Sequence, residues 1–210
     1  MRFSITGRRR PQTPAEPEPA SSPPAPLTAV RVSTADTISP RSFGRRDIDF
    51  AFDRLFIPSL VIDHTELLLR QAGVCGEEGF VLWAGTLAGD SGHVSSVVVP
   101  RISAGAAHGE VSVDTTAQIL DALDRRDLVP LAQLHTHPQA AFLSETDAIR
   151  PVVAVPGFLS IVIPDFAFVD LAEPERWSAH EFQGAGQWQE LDREQKARRF
   201  VIDDSIIRVG

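Results

Sequence analysis

The chain has 210 residues, of which 43% are hydrophobic, so it can bury one substantial core, and one domain with a tail fits better than two domains. Its formal net charge of -8 argues against a nucleic-acid-binding surface, because no broad basic field is available for phosphates. The single cysteine, Cys75, excludes an internal disulfide. The sequence contains no run of about 18 apolar residues, so no membrane span is predicted. We therefore expect a soluble, cytoplasmic protein.

The N-terminal segment differs in composition from the rest of the chain. Half of the sixteen prolines fall in the first forty residues, among Ala, Ser and Glu with few large apolar side chains. Such a segment cannot bury enough surface to offset its ordering entropy. Residues 1–43 are therefore predicted to be a disordered Pro/Ala-rich tail, and residues 44–210 a single domain. A Pro-rich ligand for a partner and a simple solvated tail both fit this composition.

The sequence of the first half of the domain predicts a helix followed by a β-hairpin. Apolar residues from Ile48 onwards mark the start of the core. Residues 59–72 have helical periodicity, with Ser59 near the N-cap and Gly73 expected to end the helix. The nearly continuous apolar run at 79–85 predicts a strand buried on both faces, and the turn at 89–92 leads to a second strand within 93–100.

The second half mixes helices and strands without a βαβ repeat. Residues 115–126 predict a helix with Asp114 as its N-cap, and residues 129–134 predict a strand. The remaining predicted elements are strands at 158–163 and 177–182, a helix at 193–199 and a short strand at 200–202. This order favours an α+β sandwich with a sheet between helices.

The clearest chemical motif is His135-Thr136-His137-Pro138, directly after the strand at 129–134. Side chains two residues apart on a strand point to the same side, so the two imidazoles can converge on one ion. Asp147, ten residues after His137, adds a carboxylate. Two imidazoles and a carboxylate suit a divalent zinc ion and leave its fourth position for water. The pattern predicts a hydrolytic zinc site.

Each part of this motif also has a purely structural explanation. Histidines at a strand end are frequently surface residues or hydrogen-bonded neighbours of the core. Ser144-x-x-Asp147 resembles a capping box, in which Ser caps a helix and an acidic residue occupies its third position. The occurrence of four such residues within thirteen positions favours the metal site.

The same residues resemble the signature of the JAMM (MPN-type) zinc metalloproteases, a family that includes deubiquitinating isopeptidases and prokaryotic JAB-type relatives. That family also uses a glutamate at the start of a strand, seven residues before a glycine, and Glu78 and Gly85 have this spacing. The two-part match spans roughly residues 59–163. The loop between Pro138 and Ser144 has five residues, against the six that are common in eukaryotic members.

The resemblance implies an α+β fold, the MPN/JAB (cytidine-deaminase-like) sandwich with a central mixed sheet flanked by helices. It also implies a role for each residue of the motif. By this resemblance, zinc would be bound by His135, His137 and Asp147, Glu78 would accept a proton from the attacking water, and Ser144 would hydrogen-bond the carbonyl oxygen as it becomes tetrahedral. Glu77 competes with Glu78, but only Glu78 has the seven-residue spacing to Gly85.

The activity implied by the resemblance is that of a zinc-dependent isopeptidase or peptidase. It would cleave after the extended C-terminal tail of a ubiquitin-like protein, to release a conjugate or mature a precursor. If the chain is bacterial, the implied partners are a ubiquitin-like protein and adenylating (E1-like) or conjugating (E2-like) enzymes, in a setting such as anti-phage defence. Two alternatives remain open: a non-catalytic MPN scaffold, which the complete residue set counts against, and a small-molecule amide hydrolase.

Other candidate residues are weaker. Cys75 near a helix end shows no local activation and is expected to be inert. Residues 140–143 are apolar and either contact substrate or pack onto the core. The remaining histidines lack ligand spacing and are expected to be solvent-exposed: His64, His93, His108 and His180.

Overall fold

The computed structural model describes residue 50, residues 52–100 and residues 111–203. Within these residues, eight strands form one mixed sheet in the order β7-β6-β5-β4-β2-β3-β1-β8. The strands are β1 (Arg54–Pro58), β2 (Phe80–Ala88), β3 (Ser91–Val98), β4 (Val129–Thr136), β5 (Leu159–Ile163), β6 (Ser178–Gly184), β7 (Gln187–Glu190) and β8 (Phe200–Asp203). The helices are α1 (Ser59–Val74), α2 (Val113–Asp124), α3 (Glu145–Ile149) and α4 (Arg193–Arg199).

The centre of the sheet is its most deeply buried part. Strand β4 pairs antiparallel with β2 and parallel with β5, and every residue of β4 and β5 is buried. Helix α1 contacts β1 to β4, while α4 contacts β1 and β8. The predicted mixed sheet flanked by helices is confirmed. Strands covered on both faces read as continuous apolar runs, which is why the sequence pattern identified β2 and β5.

The predicted hairpin is confirmed, since β2 and β3 pair antiparallel across a turn at Gly89 and Asp90. The register of this pair shifts between Ala84 and Gly85. A Cβ atom at Gly85 would lie 1.8 Å from the backbone oxygen of His93, so only glycine permits this approach of the two strands. The glycine that follows Glu78 by seven residues therefore has a packing function.

Helix α1 starts where the sequence predicted, but one prediction about its end is wrong. Pro58 is the N-cap residue and Ser59 follows it as the first helical residue, with its hydroxyl donating to the carbonyl of Asp203. Gly73 does not end the helix, which continues to Val74. A Cβ atom at Gly73 would lie 2.5 Å from the Cβ of Phe166, so this glycine permits close packing rather than a helix stop.

The prediction for the start of α2 is also wrong. The N-cap is Ser112, whose side chain accepts a hydrogen bond from the Thr115 backbone, while Asp114 lies in the first turn. Both residue types cap helices well, so composition alone did not separate them. Asp114 at this position still places a negative charge near the positive end of the helix dipole.

The C-terminal elements match the sequence, with one omission. Helix α4 has the predicted bounds, and the following strand β8 extends one residue beyond the prediction, to Asp203. Strand β7 was missed because Gln187–Glu190 is short and polar and forms a sheet edge, where burial imposes no apolar pattern. It follows a tight turn in which Gly184, Ala185 and Gly186 all have positive φ.

Some sequence predictions lie outside the described residues. These are the tail at 1–43, the start of the domain at residue 44 with Ile48, and the exposure of His108. Among the residues that the structure describes, no helix has the length and apolar character needed to cross a membrane.

Candidate metal centre

The two histidines of the motif lie at the end of the central strand. His135 belongs to β4 and His137 follows its last residue, and both side chains are buried. Asp147 in α3 completes a cluster in which one potential ligand atom from each residue lies within 4.8 Å of the other two. The Oδ2 atom of Asp147 is 3.3 Å from His135 Nε2 and 3.5 Å from His137 Nε2. The structure thus brings together all three predicted metal ligands.

The backbone of both histidines is held by neighbouring strands. His135 lies opposite Phe80 of β2 and Val162 of β5. The amide of His137 donates to the carbonyl of Ile163, at the end of β5, over 2.9 Å. Because β4 and β5 are buried throughout, the imidazoles project from a rigid support.

Asp147 is positioned by a capping box. The Ser144 hydroxyl accepts from the Asp147 amide at 3.2 Å, and Asp147 Oδ2 accepts from the Ser144 amide at 3.0 Å. The same Oδ2 atom also accepts the hydroxyl proton of Ser144 at 2.6 Å. The predicted capping box is therefore present, and it aims the carboxylate at the two imidazoles.

The electrostatics of the cluster favour the charged form of Asp147 and the protonated form of His137. Burial of Asp147 acts to raise its pKa, but the contacts with His135, His137 and Ser144 outweigh it and hold the pKa well below its usual range. The contact with Asp147 raises the pKa of His137 above its ordinary value, against the opposing effect of burial, and the charge of Glu78 adds to the increase.

A divalent metal ion fits this cluster. His135 Nε2 is buried and has no hydrogen-bond partner, although it lies only 3.3 Å from the Asp147 carboxylate. A buried ring nitrogen without a partner is costly unless another group uses its lone pair. Two imidazoles and one carboxylate that leave a coordination position open form the ligand set of a hydrolytic metal site. The chemistry of the donors and the unpaired nitrogen therefore agree.

Glu78 is placed at the rim of this cluster by the start of β2. The next residue, Gly79, donates its amide to Thr136 Oγ1 at 2.8 Å, and its carbonyl accepts from the Thr136 amide at 3.0 Å. Glu78 is half-buried and its charge acts on His137, whereas Glu77 is exposed. The structure therefore brings Glu78, rather than Glu77, towards the histidines.

Thr136 contributes to the site, although the sequence analysis assigned it no role. Its side chain is fully buried, and its hydroxyl connects the end of β4 to the residue after Glu78. On a strand, Thr136 points to the face opposite its two histidine neighbours. A polar residue between two ligands on a buried strand needs a hydrogen-bond partner, and this requirement was a signal for such a contact.

The apolar loop of residues 140–143 has one side chain packed inward and one that is exposed. Leu143 is buried and anchors the loop to the body of the protein. Phe142 is 56% exposed, and its ring meets that of His137 edge to face with centroids 4.8 Å apart. An exposed aromatic side chain thus lies directly beside a predicted ligand, where it can contact a substrate.

The prediction of solvent exposure is wrong for His180. This side chain is buried on β6, and its Nε2 atom forms a hydrogen bond with Ser178 Oγ over 2.8 Å. The omission of β7 explains the error, because β6 lies between β5 and β7 rather than at an edge. His64 and His93 are exposed as expected, and Cys75 is exposed at the end of α1.

Comparison with known proteins agrees with this site. No protein-family profile matches the chain. A probable metalloprotease of Sinorhizobium fredii is 32% identical over 115 residues, which cover 53% of this chain and 71% of that protein.

Solved structures resemble the fold. The solution structure of a Desulfitobacterium hafniense protein has a TM-score of 0.50 and 20% identity, covering 73% of this chain and 95% of that one. A JAB1/MPN domain protein of Archaeoglobus fulgidus has a TM-score of 0.40 and 13% identity, covering 72% of this chain and 99% of that one. The identity and coverage of the sequence relative, together with the motif, show that this chain belongs to the JAMM (MPN-type) metalloprotease family.

Proposed function

We propose that the protein is a zinc-dependent isopeptidase or peptidase that hydrolyses the bond after the C-terminal tail of a ubiquitin-like protein. The observation that carries this proposal is the convergence of His135, His137 and Asp147, with the buried His135 Nε2 lacking a hydrogen-bond partner. Family membership supports the coarser activity of a metal-dependent peptidase. The metal and the substrate are the finer parts of the proposal.

Zinc is the proposed metal because of the ligand types. Imidazole and carboxylate ligands in a three-residue set with an open position are typical of catalytic zinc. When bound, zinc acts as a Lewis acid that polarises the scissile carbonyl and lowers the pKa of water to about 7. His135, His137 and Asp147 would hold it.

Glu78 is proposed as the proton shuttle. A carboxylate at the rim of the site can take a proton from the attacking water and return it to the leaving amine. Glu78 is half-buried, and the paired hydrogen bonds between Gly79 and Thr136 fix the backbone beside it. A fixed backbone limits the positions that the carboxylate can take, which lowers the entropic cost of proton transfer.

Ser144 is proposed to stabilise the developing oxyanion. Its oxygen accepts the Asp147 amide and can keep doing so throughout the reaction. Its one hydroxyl proton, however, is donated to Asp147 Oδ2 in this structure. That proton has to rotate from the carboxylate to the substrate oxygen before Ser144 can act as a donor. Its catalytic role therefore competes with the hydroxyl bond to Asp147 Oδ2, whereas the capping bond uses only the oxygen and is unaffected.

The proposed substrate rests on the resemblance to deubiquitinating isopeptidases. An extended C-terminal tail presents its peptide bond without a bulky fold around it, and the exposed ring of Phe142 offers an apolar surface beside His137. The proposed partners are a ubiquitin-like protein, its conjugates, and E1-like or E2-like enzymes of a bacterial pathway in the cytoplasm.

The test combines metal content with cleavage of a ubiquitin-like protein fused through its C-terminal tail. We expect about one zinc per chain, as the three-residue cluster implies. Glu78→Gln should retain zinc and reduce cleavage by about 10²- to 10⁴-fold. Glu77→Gln is the matched control, because it changes the exposed neighbour in the same way and should leave cleavage unchanged.

The outcomes separate the parts of the proposal. Protein purified without chelators that contains no zinc and takes up none would contradict the metal site. Full cleavage by Glu78→Gln would remove Glu78 from the mechanism. Cleavage of small amides together with intact fusion protein would replace the ubiquitin-like substrate by a small-molecule one.

A further inference from the structure

A turn with an unusual backbone lies beside the metal centre. Asp165, Phe166 and Ala167 have φ angles of 53°, 52° and 62°, so three successive residues with side chains adopt the left-handed region. Residues other than glycine are disfavoured there, and such conformations persist only where the surrounding structure holds them. The turn directly follows β5, the strand that supports His137.

Helix α1 holds this turn from one side. Arg70 donates from Nε to the carbonyl of Ala167 at 2.6 Å and from an Nη atom to the carbonyl of Val169 at 3.1 Å. One helical turn further on, Gly73 leaves the space that Phe166 occupies, since a Cβ atom there would lie 2.5 Å from the Cβ of Phe166. Helix α1 therefore contacts the turn in two ways: Arg70 donates hydrogen bonds to it, and the absence of a side chain at Gly73 makes room for Phe166.

On its other side the turn holds the metal-binding loop. The amide of Phe166 donates to the carbonyl of His137 at 2.9 Å. The amide of Asp165 donates to the carbonyl of Gln139, also at 2.9 Å. These two amides point the same way because their residues share the left-handed conformation, and an extended backbone would direct successive amides to opposite sides.

We propose that the turn at Asp165–Ala167 is a bracket that fixes the backbone of His137 and Gln139, and that Arg70 is a positioning residue for the metal centre. The bracket controls where the second imidazole projects and where the loop that carries Phe142 begins. This inference rests on the proposed function, in which His137 is a zinc ligand.

The side chain of Arg70 makes two further contacts that could give it a purely local role. Its Nη1 atom lies 2.6 Å from Glu66 on the same helix, and its guanidinium lies over the ring of Phe168. Neither contact reaches His137. Glu66→Ala removes the ion pair and leaves both backbone carbonyls to Arg70, so it is the matched control for Arg70→Ala.

The experiment measures zinc affinity by competition with a chromogenic chelator and, on the metal-free protein, amide hydrogen exchange at Asp165 and Phe166. Arg70→Ala should weaken zinc binding by about tenfold and accelerate exchange at both amides, in line with the loss found when groups that orient metal ligands are removed. Arg70→Lys, which keeps one donor, should recover part of each effect. Glu66→Ala should match the wild type within about twofold, because ion pairs of this kind contribute little.

Gly73→Ala tests the bracket without removing any hydrogen-bond donor of Arg70. Alanine is the better helix former, so α1 itself gains from the change. Displacement of Phe166 should nevertheless accelerate exchange at its amide and weaken zinc binding, again by about tenfold. A loss of zinc affinity in a helix that has become intrinsically more favourable cannot come from general destabilisation of α1.

Wild-type zinc affinity in both Arg70→Lys and Gly73→Ala would overturn the proposal, whatever happens to exchange, because the turn would then not position His137. A wild-type protein that binds no zinc would overturn the proposed function instead. In that case the bracket is tested by amide hydrogen exchange at Asp165 and Phe166 alone. Faster exchange in Arg70→Lys and Gly73→Ala would support the bracket, and unchanged exchange would overturn it.

Discussion

Two short helices of this protein begin with the same motif and differ in what it does. In α4, the Asp192 side chain accepts from the Gln195 amide, and the Gln195 side chain accepts from the Asp192 amide, both over 2.8 Å. In α3, Ser144 and Asp147 form the equivalent pair of bonds. The first box lies on the exposed surface. In the second, the carboxylate also contacts the two histidines at the end of β4.

The comparison shows that a capping box can orient a side chain as well as start a helix. A cap contributes about 1 kcal/mol wherever it occurs. At α3 the same bonds also fix the direction of a carboxylate beside His135 and His137. The local motif therefore becomes part of the candidate metal centre only because α3 lies beside the end of β4. The same kind of substitution in the two capping boxes should therefore have unequal effects on zinc affinity and cleavage.

The largest expected effect is that of Asp147→Asn. The substitution keeps the size of the side chain and removes the negative charge shared by the two imidazoles. Zinc affinity should fall by more than about 100-fold, the upper end for residues that only orient ligands, and peptidase activity should fall with it. The measurement is zinc competition followed by cleavage of the ubiquitin-like fusion.

Asp192→Asn is the control for that variant, because it makes the same chemical change in the other box. Asparagine caps helices as well as aspartate does, so stability, zinc affinity and cleavage should all stay near wild-type values. Equal losses of zinc affinity in the two variants would show that the charge of Asp147 has no special relation to the histidines.

The next effect in size is that of Ser144→Ala. Loss of the proposed oxyanion donor should reduce cleavage by about 10²- to 10³-fold, and loss of the cap should lower the free energy of unfolding by about 1 kcal/mol. Zinc should remain bound, because the three ligands are intact. Cleavage rates and chemical unfolding of the zinc-loaded protein measure the two consequences separately.

Asp192→Ala removes only the cap of α4. It should cost about the same 1 kcal/mol and leave cleavage unchanged. If Ser144→Ala loses no more activity than Asp192→Ala, Ser144 acts as a helix cap alone.

The sequence predicted those parts of the fold and site whose causes are local. The buried runs of β2 and β5, the bounds of α4 and the Ser144 capping box follow from neighbouring residues. The metal motif was also local, apart from Glu78, which required a second pattern far along the chain.

What the sequence could not supply depends on distant contacts. Gly73 looked like a helix stop because its partner, Phe166, is ninety-three positions away and adopts a backbone that few side chains favour. His180 looked exposed because the polar strand beside it carried no pattern. The support of the metal centre was therefore the least predictable part of it.

The smallest expected effect concerns the pH dependence of the metal-free protein. The pKa of His137 is raised when the protein is folded, chiefly by Asp147, so its stabilising contribution is complete below the unfolded value near 6.5 and is lost as the pH rises through the folded value. The pKa of Asp147 is lowered by folding, so its stabilising contribution is complete at pH values above its ordinary pKa of 3.8. From pH 6 to pH 8, the contact between them should therefore weaken.

The prediction is tested on the difference between the wild type and Asp147→Asn, both stripped of metal. Burial lowers the pKa of His180, so that residue stabilises the protein as the pH rises and opposes the effect of His137 in either protein. Its contribution cancels in the difference. The extra free energy of unfolding of the wild type over the variant should decrease between pH 6 and pH 8 in urea titrations, and a difference that stays constant or grows would show that Asp147 does not hold a proton on His137.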